Sequence, residues 1–219
     1  MARQKLRKFE ENKSLDNIIE PGKVSFKEVK GKWRDIIFDN KNELTLEIAC
    51  GRGEYTTGLA ALFPKRNFIG IDIKGDRIWS GANLAMKEAM NNVAFLRSKV
   101  HDLEDFFCEN EVNEIWIIHP DPRPRTKDER RRLTNQRFLD LYRKISRKDA
   151  WIRLKTDNKK LFDYTLKLLE KNKIKELAYT FDLDKSPLLA EHHNIETRYE
   201  RKFKALGYPI NYLKFKFDD

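Results

Sequence analysis

From residue 44 onward, short apolar runs alternate with longer amphipathic segments. The runs over 44–49, 68–73, 93–96, 114–118 and 151–154 predict strands. Between them, helices are expected over 54–63 (ended by Pro64), 77–90, 135–145 and 159–171, with a short one over 103–107. Phe138, Leu139, Tyr142 and Ile145 recur at helical spacing, and so do Leu161, Phe162, Thr165, Leu168 and Leu169. Strands alternating with helices of this length mean βαβ units and a parallel sheet. The last third breaks the rhythm: 175–180 and 212–217 alternate as strands around a long connection with a charged, helix-like stretch near 197–206. Two late strands without a simple crossover predict an antiparallel pair closing one edge of the sheet.

No repeat or low-complexity linker interrupts the chain, so residues 31–219 are expected to form a single domain behind a basic arm or extension over 1–30. Its 219 residues suit one domain with a sizeable core, for which fourteen Phe and four Trp supply bulk despite a charged content of 37%. A net charge of +10 makes a polyanion the first partner to consider. Cys50 and Cys108 form no CxxC pair, and the adjacent His192 and His193 lack the spacing of helical zinc ligands, so no disulfide framework or metal is expected. No apolar run approaches a membrane span, and the basic N-terminus lacks the apolar stretch of a signal peptide. A soluble, reducing, cytoplasmic setting follows. The N-terminal arm is expected to be mobile, with nucleic-acid contact and plain disorder both open.

Residues 115–134, IWIIHPDPRPRTKDERRRLT, carry the densest signal. An apolar, β-branched run stops at Pro120-Asp121-Pro122, where two prolines restrict the backbone around one carboxylate. Six Lys/Arg follow, with only Asp128 and Glu129 as further acids. This is either an acid set beside a phosphate-rich substrate or a solvated charged loop.

Glu47-Ile48-Ala49-Cys50-Gly51-Arg52-Gly53 ends the first strand and opens a helix. Gly51 and Gly53 let the backbone approach a ligand at a helix N-terminus. A dinucleotide fingerprint needs a third glycine where Thr56 stands, and Glu47 would repel a pyrophosphate. A cationic ligand such as S-adenosylmethionine suits that acid better. Asp72, at the end of the second strand, can accept ribose hydroxyls. Lys99 or its neighbours occupy the place of a third strand-end acid; Asp102 is either its substitute or the N-cap of the next short helix.

The ordered set of strand-PDP-x-P, Arg131-Arg132-Leu133-Thr134, Lys155-Thr156-Asp157 and Thr197-Arg198-Tyr199-Glu200 resembles the bacterial tRNA (guanine-N7-)-methyltransferase family, over about residues 30 to 217. The resemblance implies a Rossmann-like class I methyltransferase fold, α/β, with a mostly parallel seven-stranded sheet, an antiparallel edge strand and helices on both faces. It also implies S-adenosylmethionine as cofactor and a variable-loop guanine of tRNA as substrate; monomer and homodimer both stay open. By motif, Glu47 and Asp72, with Gly51 and Gly53, match cofactor-binding positions, and Asp121 matches the catalytic acid at the centre of the site, beside the cofactor. Arg125 falls where the family carries a substrate-binding lysine, Asp157 matches the Thr-Asp acid, and Thr197 with Glu200 matches a substrate-holding Thr-x-x-Glu element. Arg123 stands in place of the usual Trp, Ala49 in place of the usual Gly, and Lys99 near the usual third cofactor acid.

Guanine N7 carries an in-plane lone pair and loses no proton on attack, so alignment rather than a general base is expected to carry the chemistry. Asp121 is expected to hold the guanine edge or offset the developing charge, with Asp157 or Glu200 accepting from N1–H and the amino group. Arg130, Arg131 and Arg132, with Arg125, would track phosphates. Two rivals stand beside this reading: an NAD-dependent oxidoreductase on a similar sheet, and a non-catalytic RNA-binding protein on the same fold.

Overall fold

The computed structural model describes residues 2–218. In chain order, the N-terminal part contributes α1 (Ala2–Ser14), β1 (Ile18–Ile19) and the short α2 (Ser25–Glu28). Then follow β2 (Glu43–Ile48), α3 (Glu54–Leu62), β3 (Arg66–Ile71), α4 (Gly75–Lys87), β4 (Val93–Leu96) and β5 (Val112–Ile118). The remainder is α5 (Gln136–Ile145), β6 (Ser146–Thr156), α6 (Lys159–Leu169), β7 (Ile174–Thr180), α7 (Arg198–Ala205) and β8 (Asn211–Phe217).

The strands form one sheet in the order β1-β4-β3-β2-β5-β6-β8-β7. All neighbours are parallel up to β6, and β8 runs antiparallel to both β6 and β7. The late pair therefore closes one edge, as the alternating pattern predicts. Two apolar layers flank the sheet. Leu44, Leu46 and Ile48 join Ile115, Ile117, Phe138, Tyr142 and Phe162 in one; Phe68, Phe95, Trp116 and Ile118 join Tyr55, Leu59 and Ile78 in the other. Covered on both faces, the central strands read as near-continuous apolar runs.

The sheet has eight strands where the sequence predicts seven. The addition is the two-residue β1, whose Ile18 and Ile19 pair with Phe95 and Leu96 of β4. Nor is the region before it a free arm: α1 lies on α4. Asn12 donates to the Gly75 carbonyl at 2.9 Å, the Trp79 indole donates to Glu11 at 2.6 Å, and the Arg97 guanidinium lies 4.7 Å from the Phe9 ring centre. Few apolar residues announce this docking, because most of its contacts are polar or cation–π.

Strand order reverses between β3 and β5 on either side of β2, so a crevice opens beyond the carboxyl end of β2. The Phe95 ring sets its floor. A Cβ on Gly53 would come within 2.4 Å of that ring, one on Gly70 within 2.8 Å and one on Gly81 within 2.5 Å. Three elements can close on Phe95 only because they present bare backbone. Gly70→Ala is expected to cost about 1–3 kcal/mol by overpacking, and Phe95→Leu in the same chain should recover part of it. Urea unfolding of the single and double variants measures the coupling; strictly additive losses would refute this contact.

Candidate active site

The loop after β2 carries the backbone curvature that its sequence calls for. Ala49, Gly51 and Gly53 all adopt left-handed φ, at +58°, +58° and +71°. Ala49, in place of the family's glycine, carries a steric cost there that glycine would not. Nothing lies within 4 Å of where a Gly51 Cβ would be, so the loop presents bare backbone to open space. Asp72 braces it from the end of β3, accepting from the Gly51 N–H at 3.0 Å and from the Lys74 N–H at 2.9 Å.

Glu47 projects from β2 beneath α3, where its Oε2 accepts the Thr56 N–H at 2.7 Å and the Thr56 hydroxyl. Burial pushes its carboxyl up to about 8, against the pull of those two bonds. A buried acid in this state becomes ionised when a cation is brought beside it. Bare glycine backbone, a ribose-competent acid at the next strand end and a buried carboxyl awaiting positive charge together fit S-adenosylmethionine. Asp102 is not an N-cap: it lies inside a 3-10 turn (Val100–Asp105) whose N-cap is Lys99, and its carboxylate sits 3.2 Å from His101.

Beyond β5 and β6 lies a polar cluster that the sequence only partly announces. Lys155 Nζ meets Glu200 Oε1 at 2.7 Å, with both side chains no more than 2% exposed. His119 stands between two carboxylates, Nδ1 3.2 Å from Asp157 Oδ1 and Nε2 3.5 Å from Glu200 Oε2. The second contact is too long and misaligned for a full hydrogen bond, leaving both atoms with unused capacity. Tyr199 donates to the other oxygen of Asp157 at 3.4 Å. Burial would push the His119 ring down, but the hydrogen bond to Asp157 and the nearby Glu200 carboxylate outweigh it and leave the ring above its ordinary 6.5. Asp157 and Glu200 are held below the usual carboxylate range by the same contacts, although burial opposes them. Lys155 is pulled down, because burial outweighs what Glu200 returns.

Thr-x-x-Glu works here as a helix start. Thr197 Oγ1 accepts the Glu200 N–H at 3.1 Å as N-cap of α7, and the Arg198 N–H donates to Glu54 at 3.0 Å. That capping fixes Glu200 one turn into α7 with its carboxylate turned inward onto Lys155. Thr197 thus positions Glu200, and its hydroxyl proton stays available to donate.

Asp157 and Glu200 converge on His119, and Asp121 follows two residues beyond it. Asp121 itself has its side chain 81% exposed, 3.1 Å from the Arg123 guanidinium. Arg125 is turned away onto the buried Asp128, donating from Nε at 2.7 Å, and Arg131 meets the same carboxylate at 3.2 Å. Arg132 donates to the Arg123 carbonyl at 3.2 Å and covers the Tyr164 ring, while Arg130 stands exposed. Asp128 therefore ties the basic loop into a 3-10 turn (Thr126–Arg131). Sequence reasoning passed over His119 and Lys155 as individual residues. A lysine inside the apolar run of β6, and a histidine directly before the PDP element, were the available signals.

The family model described as "Putative methyltransferase" matches residues 41–213. Curated relatives named "tRNA (guanine-N(7)-)-methyltransferase" align along the whole chain. The protein of Cytophaga hutchinsonii is 48% identical, covering 99% of each chain. That of Christiangramia forsetii is 41% identical over 98% of each. Among solved structures, one titled as the 16S rRNA methyltransferase KamB superposes with a TM-score of 0.62 at 14% identity, covering 84% of this chain and 91% of that one. At that identity the likeness speaks for the fold alone, which is that of class I methyltransferases. The chain belongs to this methyltransferase family, and within it to the tRNA (guanine-N(7)-)-methyltransferases.

Among the described residues, no three His, Cys, Asp or Glu side chains converge as metal ligands, and no helix is long and apolar enough to cross a membrane. Lys155→Met, which strands Glu200 beside a single histidine, should cost about 3–5 kcal/mol, read from denaturant unfolding. The raised His119 sets a second expectation: its contribution to stability is full below about pH 6.5 and fades as pH rises through the native value. Thermal melts from pH 6 to 9 should show wild type losing more stability than His119→Gln. Parallel profiles would refute the pairing.

Proposed function

We propose that this protein is a cytoplasmic tRNA (guanine-N7-)-methyltransferase that uses S-adenosylmethionine, built as one catalytic domain over 31–219 to whose sheet the N-terminal extension adds β1, and working as a monomer or homodimer. The observation that carries the reading is the match to relatives of that name along nearly the whole chain. The acid cluster at the ends of β5 and β6 gives it a physical basis.

When bound, S-adenosylmethionine supplies an electrophilic methyl on a sulfonium. Glu47 would sit near its positive charge, Asp72 would take the ribose hydroxyls, and the amides around Gly51 and Gly53 would line its amino-acid end. Asp157 and Glu200 have the acceptors that a guanine's N1–H and amino group require. His119 and Lys155 keep both carboxylates ionised, so they are preformed acceptors when the base arrives. Because N7 sheds no proton, these residues have only to hold the ring in line. Asp121 would offset the positive charge that the purine acquires, and the exposed arginines of the following loop would meet phosphate.

An oxidoreductase fits less well, because Thr56 stands where a dinucleotide loop needs its third glycine and its N–H is bonded by Glu47, an acid that would repel a pyrophosphate. A non-catalytic binder is separated by chemistry alone. Purified protein with labelled S-adenosylmethionine should transfer methyl to bulk tRNA lacking N7-methylguanine, and nucleoside analysis should find N7-methylguanosine. Tight, salt-sensitive tRNA binding without transfer would favour the binder. Asp121→Ala should lower kcat by at least about a hundred-fold, on the scale of losing one transition-state electrostatic contact, with S-adenosylmethionine affinity by calorimetry unchanged. Near-normal turnover would remove Asp121 from the chemistry.

A further inference from the structure

Helix α7 carries a run of aromatic rings that neither the sheet nor the cofactor loop uses. Tyr199 and Phe203, one helical turn apart, stack with centroids 4.3 Å apart and an interplanar angle of 27°. Phe203 in turn meets Tyr208 at 5.7 Å. Tyr208 arrives there through the helix end. The Gly207 N–H bonds the Lys204 carbonyl at 2.9 Å and the Tyr208 N–H bonds the Phe203 carbonyl at 3.2 Å, with Gly207 at φ +79°. This is a Schellman closure, which folds the chain back over the last turn. Tyr199, Leu206 and Tyr208 are left 46%, 62% and 52% exposed.

Large side chains in such number on one short element are ordinarily buried, and a contiguous exposed apolar face marks a binding surface. Three features favour one occupant. The run begins at the guanine site, since the Tyr199 hydroxyl bonds Asp157 and its ring lies 5.2 Å from that of His119. Exposed cations, Arg198, Arg201 and Lys202, share the helix with the rings. The chain as a whole carries a net charge of +10. Aromatic faces interleaved with cations beside a base pocket are how proteins hold single-stranded nucleic acid.

We propose that the Tyr199–Phe203–Tyr208 face is a stacking subsite for an unstacked nucleobase that flanks the target guanine in the substrate RNA. It rests on the RNA-methylating function given above. A guanine drawn out of a folded loop leaves a neighbour without its stacking partner, and the rings of α7 supply a replacement. Asp157 and Glu200 would then read the target base while α7 holds the strand beside it.

Tyr208 lies at the outer end of the run and touches none of the acids, which makes it the probe. Tyr208→Ala should raise KM for tRNA at least about five-fold, the scale of one lost base stack, while kcat at saturating tRNA and S-adenosylmethionine affinity stay at wild-type values. Tyr208→Phe, which keeps the ring, should restore KM. In Tyr208→Trp, fluorescence beyond that of the native tryptophans should be quenched by tRNA and by an unstructured RNA oligonucleotide, but not by heparin, which has charge and no bases. Wild-type KM in Tyr208→Ala together with no RNA-dependent quenching would overturn the subsite and leave the face to a protein partner. If wild type forms no N7-methylguanosine, the functional reading fails by itself, and the quenching still reports on stacking.

Discussion

The ion pair between Lys155 and Glu200 is the contact on which the site depends. It joins the carboxyl end of β6 to the first turn of α7 in surroundings that exclude water almost completely. A charge pair so placed gains little net stability, because desolvation of both ions offsets most of their attraction. Its value lies in what it forbids. Neither partner can leave without stranding a buried charge, so α7 is held against the sheet in one register. With that register fixed, Thr197 caps the helix, Tyr199 meets Asp157, and His119 lies between two carboxylates.

The glycine loop is fixed by the opposite means, through apolar contact and missing side chains. Phe95, fully buried, fills the volume that Cβ atoms on Gly53, Gly70 and Gly81 would claim. The glycine-loop half of the crevice is thus held largely by shape, and the half around His119 and Lys155 by charge. The two halves meet through Tyr55, which carries both themes: its ring lies 5.5 Å from Lys155 Nζ, and its hydroxyl bonds His192 at 2.5 Å. Burial, with the nearby cations of Lys155 and Arg153, pushes His192 down to about 2, so it stays neutral and serves as a fixed dipole beside the charged cluster.

Most of the scaffold was legible in the sequence for one reason: strands covered on both faces must be apolar throughout, and Ile115 to Ile118 announces itself. Asn135, Asn158 and Thr197 likewise mark helix starts by their side-chain chemistry, and each accepts a backbone N–H there. β1 was not legible, since two isoleucines have no period. β6 begins at Ser146, five residues before its apolar run, where an exposed Arg-Lys-Asp stretch hides a strand that only its neighbours reveal. The site divides in the same way. Acids at strand ends could be found along the chain, whereas the roles of His119 and Lys155 arise from partners that only the fold brings to them, Asp157 from the end of β6 and Glu200 from α7.

Backbone strain gives an independent reason to treat the PDP element as more than a charged loop. His119 holds φ +45° directly before a proline, a position that ordinarily favours extended backbone, and Arg123 holds +45° just after the second proline. Ala49 adds +58° in the cofactor loop. A solvated loop relaxes such angles at no cost to the rest of the protein. Conformations of this kind persist where surrounding contacts over-determine them, and they gather at sites of function. Here the determinants are visible: two carboxylates hold His119, and the Arg123 carbonyl is bonded by Arg132. Asp121 lies between these two strained residues, so its exposed carboxylate is carried on a backbone fixed at both ends. An exposed carboxylate, paired only with the half-exposed Arg123 and carried on a fixed backbone, is what the role proposed for Asp121 calls for.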